Sequence, residues 1–352
     1  MPKRGIRAGP TSGGDAKMAL KIRRIVADGD MDGLIAAAVL RNKWPDAEVI
    51  WSHPAEIRAG LLDAVIGLDT AVLDLPFHAA CGLWIDHHQT NRPTAEIRQT
   101  HENKGGVIHW SERDSAARVA FEAFSSEVDL SGFDAWLPML DALDGGKVSL
   151  SDFLSDDPIV WISRTVSKTE PEYCQLLLDS VVGGLSPTEV AALPEVAMKI
   201  ADKRVITERT RQLISSKSEV LDRLAVVRLD EEGVRTNGYL VTAHFGDAVD
   251  ACCIVHGYAD GSLTNADRWP ISASFYTNSF LHHDGGIFDL TKLAQSFDID
   301  GGGHADACGC RIQPIPTGTT VRDGPSAVEK RVLTAEDVQR NLQAWLTEWA
   351  TR

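Results

Sequence analysis

Three aspartates, Asp28, Asp30 and Asp32, alternate in the segment Asp28-Gly29-Asp30-Met31-Asp32-Gly33, and Asp86-His87-His88 sets two imidazoles beside another acid. In an extended or turning backbone every second side chain leaves on the same side, so the three carboxylates crowd together. Crowded carboxylates repel one another unless a cation lies between them. An EF-hand loop would need a bidentate acid at its twelfth position, which counted from Asp28 is Val39. The oxygen and nitrogen donors of Asp86, His87 and His88 suit manganese or a similar first-row cation. Asp74, Asp141 and Asp144 extend the set. Two cations sharing a bridging carboxylate and a bridging hydroxide would then drive in-line attack on phosphorus.

Secondary structure has to place these groups. Ile25-Val26-Ala27, Glu48 to Trp51, Thr70 to Leu73 and Gly82 to Ile85 are short apolar runs without alternation. Such runs suit strands buried on both faces of a parallel sheet, with helices on either side. The pattern is α/β, and Leu34 to Leu40 reads as the first helix. Asp28, Asp74 and Asp86 each follow directly on such a strand, at the carboxyl edge where open α/β sheets bind ligands. Ser115 to Phe124 and Leu137 to Leu143 read as helices, and Ser186 to Leu224 as a long helical connector. Beyond it, Leu240 to His244 and Ile271 to Tyr276 read as strands, Asp289 to Gln295 as a short helix and Asp300 to His304 as a glycine-rich loop. Thr334 to Trp349 closes as an amphipathic helix.

A chain of 352 residues is long enough for two domains. The spans expected are a leader at 1–18, a catalytic domain at 19–190, a helical linker at 191–224 and a smaller α/β substrate-recognition domain at 225–352. The formal charge of -15 argues against coating duplex nucleic acid through a broad basic face. A short oligonucleotide stays open, because bound cations bring their own charge. Six cysteines without a CxxC pair, and no apolar run after the basic leader, point to reduced thiols in the cytoplasm and to no membrane span.

Asp30-Met31-Asp32-Gly33, Asp74, Asp86-His87-His88 and Asp144-Gly145-Gly146 resemble the four motifs of the DHH phosphoesterases. Asp300-Gly301-Gly302-Gly303-His304, with Ala307 and Gly309, is similar to the GGGH signature of the DHH-associated second domain. The resemblance covers about residues 20–313 and implies a parallel-sheet catalytic domain. It implies two manganese ions, with magnesium or cobalt as substitutes. Asp30 and Asp74 would hold one ion, joined by Asp28; Asp32, Asp74, His87 and Asp144 would hold the other. Asp141, one helical turn before Asp144, is an alternative ligand. Asp86 would ligate or orient a neighbour, and His88 would contact the phosphate or protonate the leaving oxygen. Gly301, Gly302 and Gly303 would let backbone N–H groups approach a phosphate, and His304 would donate to it.

One departure stands out. Tyr276 in Ser274-Phe275-Tyr276-Thr277 takes the place of an arginine that clamps phosphate in members acting on small nucleotides. Tyr276 would stack or hydrogen-bond instead. The expected activity is hydrolysis of phosphodiesters or phosphomonoesters in short single-stranded oligonucleotides or small nucleotides. Exopolyphosphatase-like hydrolysis of polyphosphate, or a silent nucleotide sensor on the same scaffold, are the alternatives, and a homodimer is compatible with either. His282-His283 reads as a solvated loop, Cys308 and Cys310 as packed thiols, and Trp51, Trp84, Trp110, Trp136 and Trp161 as core.

Overall fold

The computed structural model describes residues 20–265, 267–316 and 331–352; the expected leader at 1–18 lies outside them. Five strands, β1 (Arg24–Asp28), β2 (Glu48–Ser52), β3 (Thr70–Leu73), β4 (Leu83–Asp86) and β5 (Val107–Trp110), form a wholly parallel sheet in the order β2-β1-β3-β4-β5. Burial on both faces explains the unalternating apolar runs. Ile25 and Ala27 face one core with Leu73 and Ile85, while Val26 faces another with Val72 and Trp84. The first core is closed by the helices Met31–Lys43, Ala116–Phe124 and Pro171–Val182. The second is closed in part by Ile57 of the short Pro54–Arg58 helix and by Phe77, which packs edge-on against Trp84.

The Met31–Lys43 helix is what fixes the acidic turn. Asp30 caps it by accepting from the Gly33 N–H at 2.9 Å, and Gly33 lies so close to β1 that a Cβ there would sit 2.3 Å from the Asp28 carbonyl oxygen. Its residues from Met31 to Leu40 are all buried, and Ala36 to Ala38 permit close approach of the neighbouring helices.

Six strands build a second, mixed sheet: β6 (Ser218–Leu221), β7 (Leu224–Asp230), β8 (Ala251–Gly257), β9 (Ser272–Thr277), β10 (Gly302–His304) and β11 (Ala307–Arg311), ordered β10-β11-β9-β8-β7-β6. Only the β7–β8 pair is parallel. The closing helix, Ala335–Trp349, packs Trp345 and Trp349 on one face with Phe275. On the other face the helix Gly238–Phe245 covers Ala225, Val227, Cys252 and Ile254. Val148, Phe153 and Ile214 join that same cluster, and the Tyr239 hydroxyl donates to the Leu143 carbonyl at 2.6 Å. The two halves are thereby packed together.

Three expectations need correction. Leu240 to His244 is helical, because the apolar run lies under a helix buried against the sheet, and a five-residue run carries no period to tell helix from strand. The helical stretch after Pro194 ends at Ser216, and residues 218–221 turn back as β6 along β7. Part of the glycine-rich segment is strand: Gly302 to His304 pairs with β11 as a hairpin. Of the five tryptophans, Trp84 and Trp136 are fully buried, whereas Trp51, Trp110 and Trp161 are half-buried. All six cysteines are buried and free.

Replacing Gly33 by alanine should push the Met31–Lys43 helix away from β1. We expect a loss of about 1–3 kcal/mol in chemical denaturation together with weakened divalent-cation binding. An unchanged unfolding midpoint would show that the helix shifts freely.

Candidate metal centre

The carboxyl edge of the parallel sheet gathers most of the acids. Asp32 is 2 % exposed, and its two oxygens accept from the Ala116 and Ala117 N–H groups at 2.7 and 2.8 Å, at the start of the Ala116–Phe124 helix. Asp74 follows β3 with a φ of 56°, a left-handed conformation uncommon outside glycine, and its N–H is tied to the Ile85 carbonyl at 2.9 Å. Strain held in place by the neighbouring strand turns this carboxylate to the strand edge.

Asp86 has no exposed side-chain surface. One oxygen accepts from the His87 N–H at 2.8 Å and from His88 Nδ1 at 2.8 Å, and the other from Asn91 Nδ2 at 2.7 Å. Burial pushes this carboxyl up, but His88 with its hydrogen bond, His87 and Asn91 outweigh it and hold it below the usual range.

His87 is the hub. Its Nδ1 donates to the Arg113 carbonyl at 3.1 Å, which leaves Nε2 with a bare lone pair. That Nε2 lies 3.5 Å from Asp32, 3.5 Å from Asp74 and 3.2 Å from Asp144. His87 Nε2 and Asp74 Oδ1 are buried without any hydrogen-bond partner. A buried imidazole nitrogen and a buried carboxylate oxygen left unpaired among further acids are a costly arrangement alone and a fitting one around a cation. Asp32, His87 and Asp144 place ligand atoms within 4.8 Å of one another, and Asp28, Asp30 and Asp74 form a second such group. Divalent cations fit these donors.

Asp141 does not join them. Arg118 grips it with two bonds, at 2.9 and 2.6 Å, and the Ser115 hydroxyl donates to it at 2.6 Å. The helix that carries both acids turns Asp144 to the histidine and Asp141 to the arginine.

The second sheet supplies His304. Its ring lies 4.7 Å from those of His87 and His88, nearly parallel to the latter, and its Nε2 is buried without a partner. Burial, with His88 and His87 beside it, lowers this imidazole to about 3. The glycines before it do not form an open cradle. Gly301 N–H donates to the Asp298 carbonyl at 2.9 Å and Gly303 N–H to the Thr90 hydroxyl at 3.1 Å, so this segment docks the second half on the loop after Asp86. Gly303 has a φ of 138°, a conformation open to glycine. Tyr276 packs on Gly238, where a Cβ would meet the tyrosine Cβ at 2.2 Å, and it is not among the residues lining the cavity between the halves. His282 is held by Asp250 at 3.0 Å and His283 is exposed.

That cavity, about 580 Å³, is lined by His53, Lys168, Arg235, His256, Trp269 and Gly302, among others. Apart from Gly302, none of these carries a sequence signal, because each stands alone in a loop or strand. Lys168 pairs with Glu56 at 2.5 Å and packs on Gly29, beside Asp28.

Solved structures give the architecture a context. No protein-family profile and no curated protein matches the sequence. A pGpG-specific phosphodiesterase, PggH, from Vibrio cholerae superposes with a TM-score of 0.60 at 19% identity, over 93% of this chain and 99% of its own. The DHH domain of a member of the s1p family of ribosomal proteins gives 0.52 at 13%, over 94% and 88%. The chain has the DHH fold. RecJ from Thermus thermophilus, solved in complex with Mn2+, also shares this fold, with a TM-score of 0.53 at 14% identity. This chain covers 53% of that RecJ chain, so it spans about half its length.

Two measurements test the centre. Burial first, then the neighbouring acids, raises Asp28 and Asp74 well above the usual range; burial and Asp32 do the same for Asp144. Asp32 rises to about 6, chiefly by burial. A carboxyl raised on folding binds more protons folded than unfolded, so its contribution is fully present below about 4 and is lost as pH climbs through 6. A cation takes only the deprotonated form. Manganese should therefore raise the melting temperature little at pH 5 and far more at pH 7.5, by an amount worth about 3 kcal/mol at hundredfold excess over Kd. Equal increments at both pH values would contradict the ligand set.

Asp144→Asn should abolish the manganese binding that depends on Asp32 and His87, so calorimetry should lose one class of site. Asp141→Asn should leave affinity within a few fold but cost about 1–3 kcal/mol of stability through the abandoned Arg118. The reverse pattern would reassign the ligand.

Proposed function

We propose that this protein is a metal-dependent phosphodiesterase of DHH type, acting on short oligonucleotides or dinucleotides with manganese as its preferred ion. The observation that carries the reading is the bare, buried His87 Nε2 facing Asp32, Asp74 and Asp144. The neighbouring structures of the same fold add support: one is of a pGpG-specific phosphodiesterase and another of RecJ in complex with Mn2+.

In this reading Asp28, Asp30 and Asp74 hold one ion, and Asp32, Asp74, His87 and Asp144 the other. Two divalent cations there would supply positive charge for the scissile phosphate and acidify a water at neutral pH. The protein does the positioning. Asp86 anchors His88 by accepting from its Nδ1, so Nε2 is left to carry a proton to the leaving oxygen. His304, stacked on His88, borders the same space and meets the substrate phosphate as a neutral donor. The charge of -15 favours short substrates over duplexes.

The test is hydrolysis of a dinucleotide in manganese. Asp74→Asn should lower kcat by about a thousandfold or more with the fold intact. His88→Ala should lower kcat on the dinucleotide by about 10²–10⁴-fold, yet barely affect a p-nitrophenyl ester, whose leaving group needs no proton. Failure of the wild-type chain to cleave any short oligonucleotide with manganese, magnesium or cobalt would overturn the proposal.

A further inference from the structure

Three imidazoles meet where the halves touch. His87 and His88 follow β4 and His304 ends β10, and every pair of their ring centres is 4.7 Å apart. A ring nitrogen of each lies within 4.8 Å of a ring nitrogen of the other two. Hydrogen bonds decide which nitrogens are free. His87 Nδ1 is taken by the Arg113 carbonyl and His88 Nδ1 by Asp86, so each of these rings has Nε2 left. Carbonyl and carboxylate partners of this kind usually stand behind metal-bound imidazoles. His304 Nε2 is buried without any partner.

Manganese among the acids would engage His87 Nε2 and leave His304 Nε2 as it is. A buried ring nitrogen kept unpaired is costly, so something completes it. Carboxylates suit manganese and magnesium, whereas an imidazole set suits zinc, copper or nickel. Three histidines with an open fourth position are a recurrent zinc arrangement. Zinc–nitrogen bonds of about 2.0–2.1 Å put tetrahedral ligand atoms roughly 3.3 Å apart, so rings this close need only small movements to share one ion.

His87 cannot serve both donor sets at once. Its Nε2 lies 3.2 Å from Asp144 and 3.5 Å from Asp32 and Asp74, and the same ring belongs to the imidazole group. A single lone pair binds one ion at a time. An ion among the histidines therefore takes a ligand away from the acids. It also occupies His88 and His304, which could then neither protonate a leaving oxygen nor donate to a phosphate.

We propose that His87, His88 and His304 form an inhibitory zinc site, mutually exclusive with the manganese bound through His87. The inhibition rests on the phosphodiesterase reading; the binding of zinc does not. Because His304 belongs to the second sheet, zinc there also fastens the two halves together.

The experiment titrates zinc into the full chain saturated with manganese. Wild type should bind one zinc tightly, and turnover of bis(p-nitrophenyl) phosphate should fall in step with that occupancy. His304→Ala should weaken the zinc Kd by about a hundredfold or more, since even an outer partner of a metal ligand is worth 10–100-fold. Its manganese Kd should stay within a few fold, because His304 is not among the manganese ligands. Zinc that merely replaces manganese at the acids would bind both proteins equally, and that result overturns the site. Crystals of the wild type grown with zinc give a second readout. An anomalous peak bonded to all three imidazoles supports the site, and a peak at the acids alone overturns it. Full turnover with that site filled would overturn the inhibition. If manganese supports no turnover at all, the phosphodiesterase reading fails by itself, and the Kd ratio and the peak still decide the zinc site.

Discussion

Mutual repulsion among crowded carboxylates, two of them buried and two half-buried, governs this centre. Asp28, Asp32, Asp74 and Asp144 lie close enough to raise one another's pKa, in a place where burial already penalises their charge. Two backbone N–H groups at a helix start ease Asp32. Asp74 accepts no such backbone bond, and one of its oxygens is left bare at a strained backbone position. A fold that keeps such a group has a use for the uncompensated negative charge, and divalent cations fit that use.

The second sheet completes this centre from the far side. His304 is carried by β10, which pairs with β11 and is set against the first half by the Thr90 hydroxyl bond and the shared apolar cluster around Val148, Phe153 and Ile214. Tyr239 adds a bond to the carbonyl of Leu143, the residue next to Asp144. The packing of the halves and the geometry of the acids are therefore linked. Any opening of the cavity that moves β10 also withdraws His304 from His88.

Much of this was legible in the residues. Acids directly after short apolar runs marked Asp28, Asp74 and Asp86, because open parallel sheets bind ligands at the carboxyl ends of their strands. The difference between Asp141 and Asp144 was not legible: three residues apart on a helix, they share a face, and Arg118 on another helix engages only Asp141. Leu240 to His244 misled because a short apolar run lacks a period. The role of the glycines was also hidden, since their N–H groups are taken by Asp298 and Thr90, a partner far away in sequence. Arg235 and Trp269 are isolated loop residues whose pairing exists only in three dimensions.

Anomalous diffraction from crystals grown with manganese tests the central claim most directly. The account predicts two peaks about 3.5–4 Å apart at the carboxyl edge of the parallel sheet, with Asp74 touching both. A lone peak elsewhere on the surface, or none beside His87 Nε2 at saturating manganese, would contradict it.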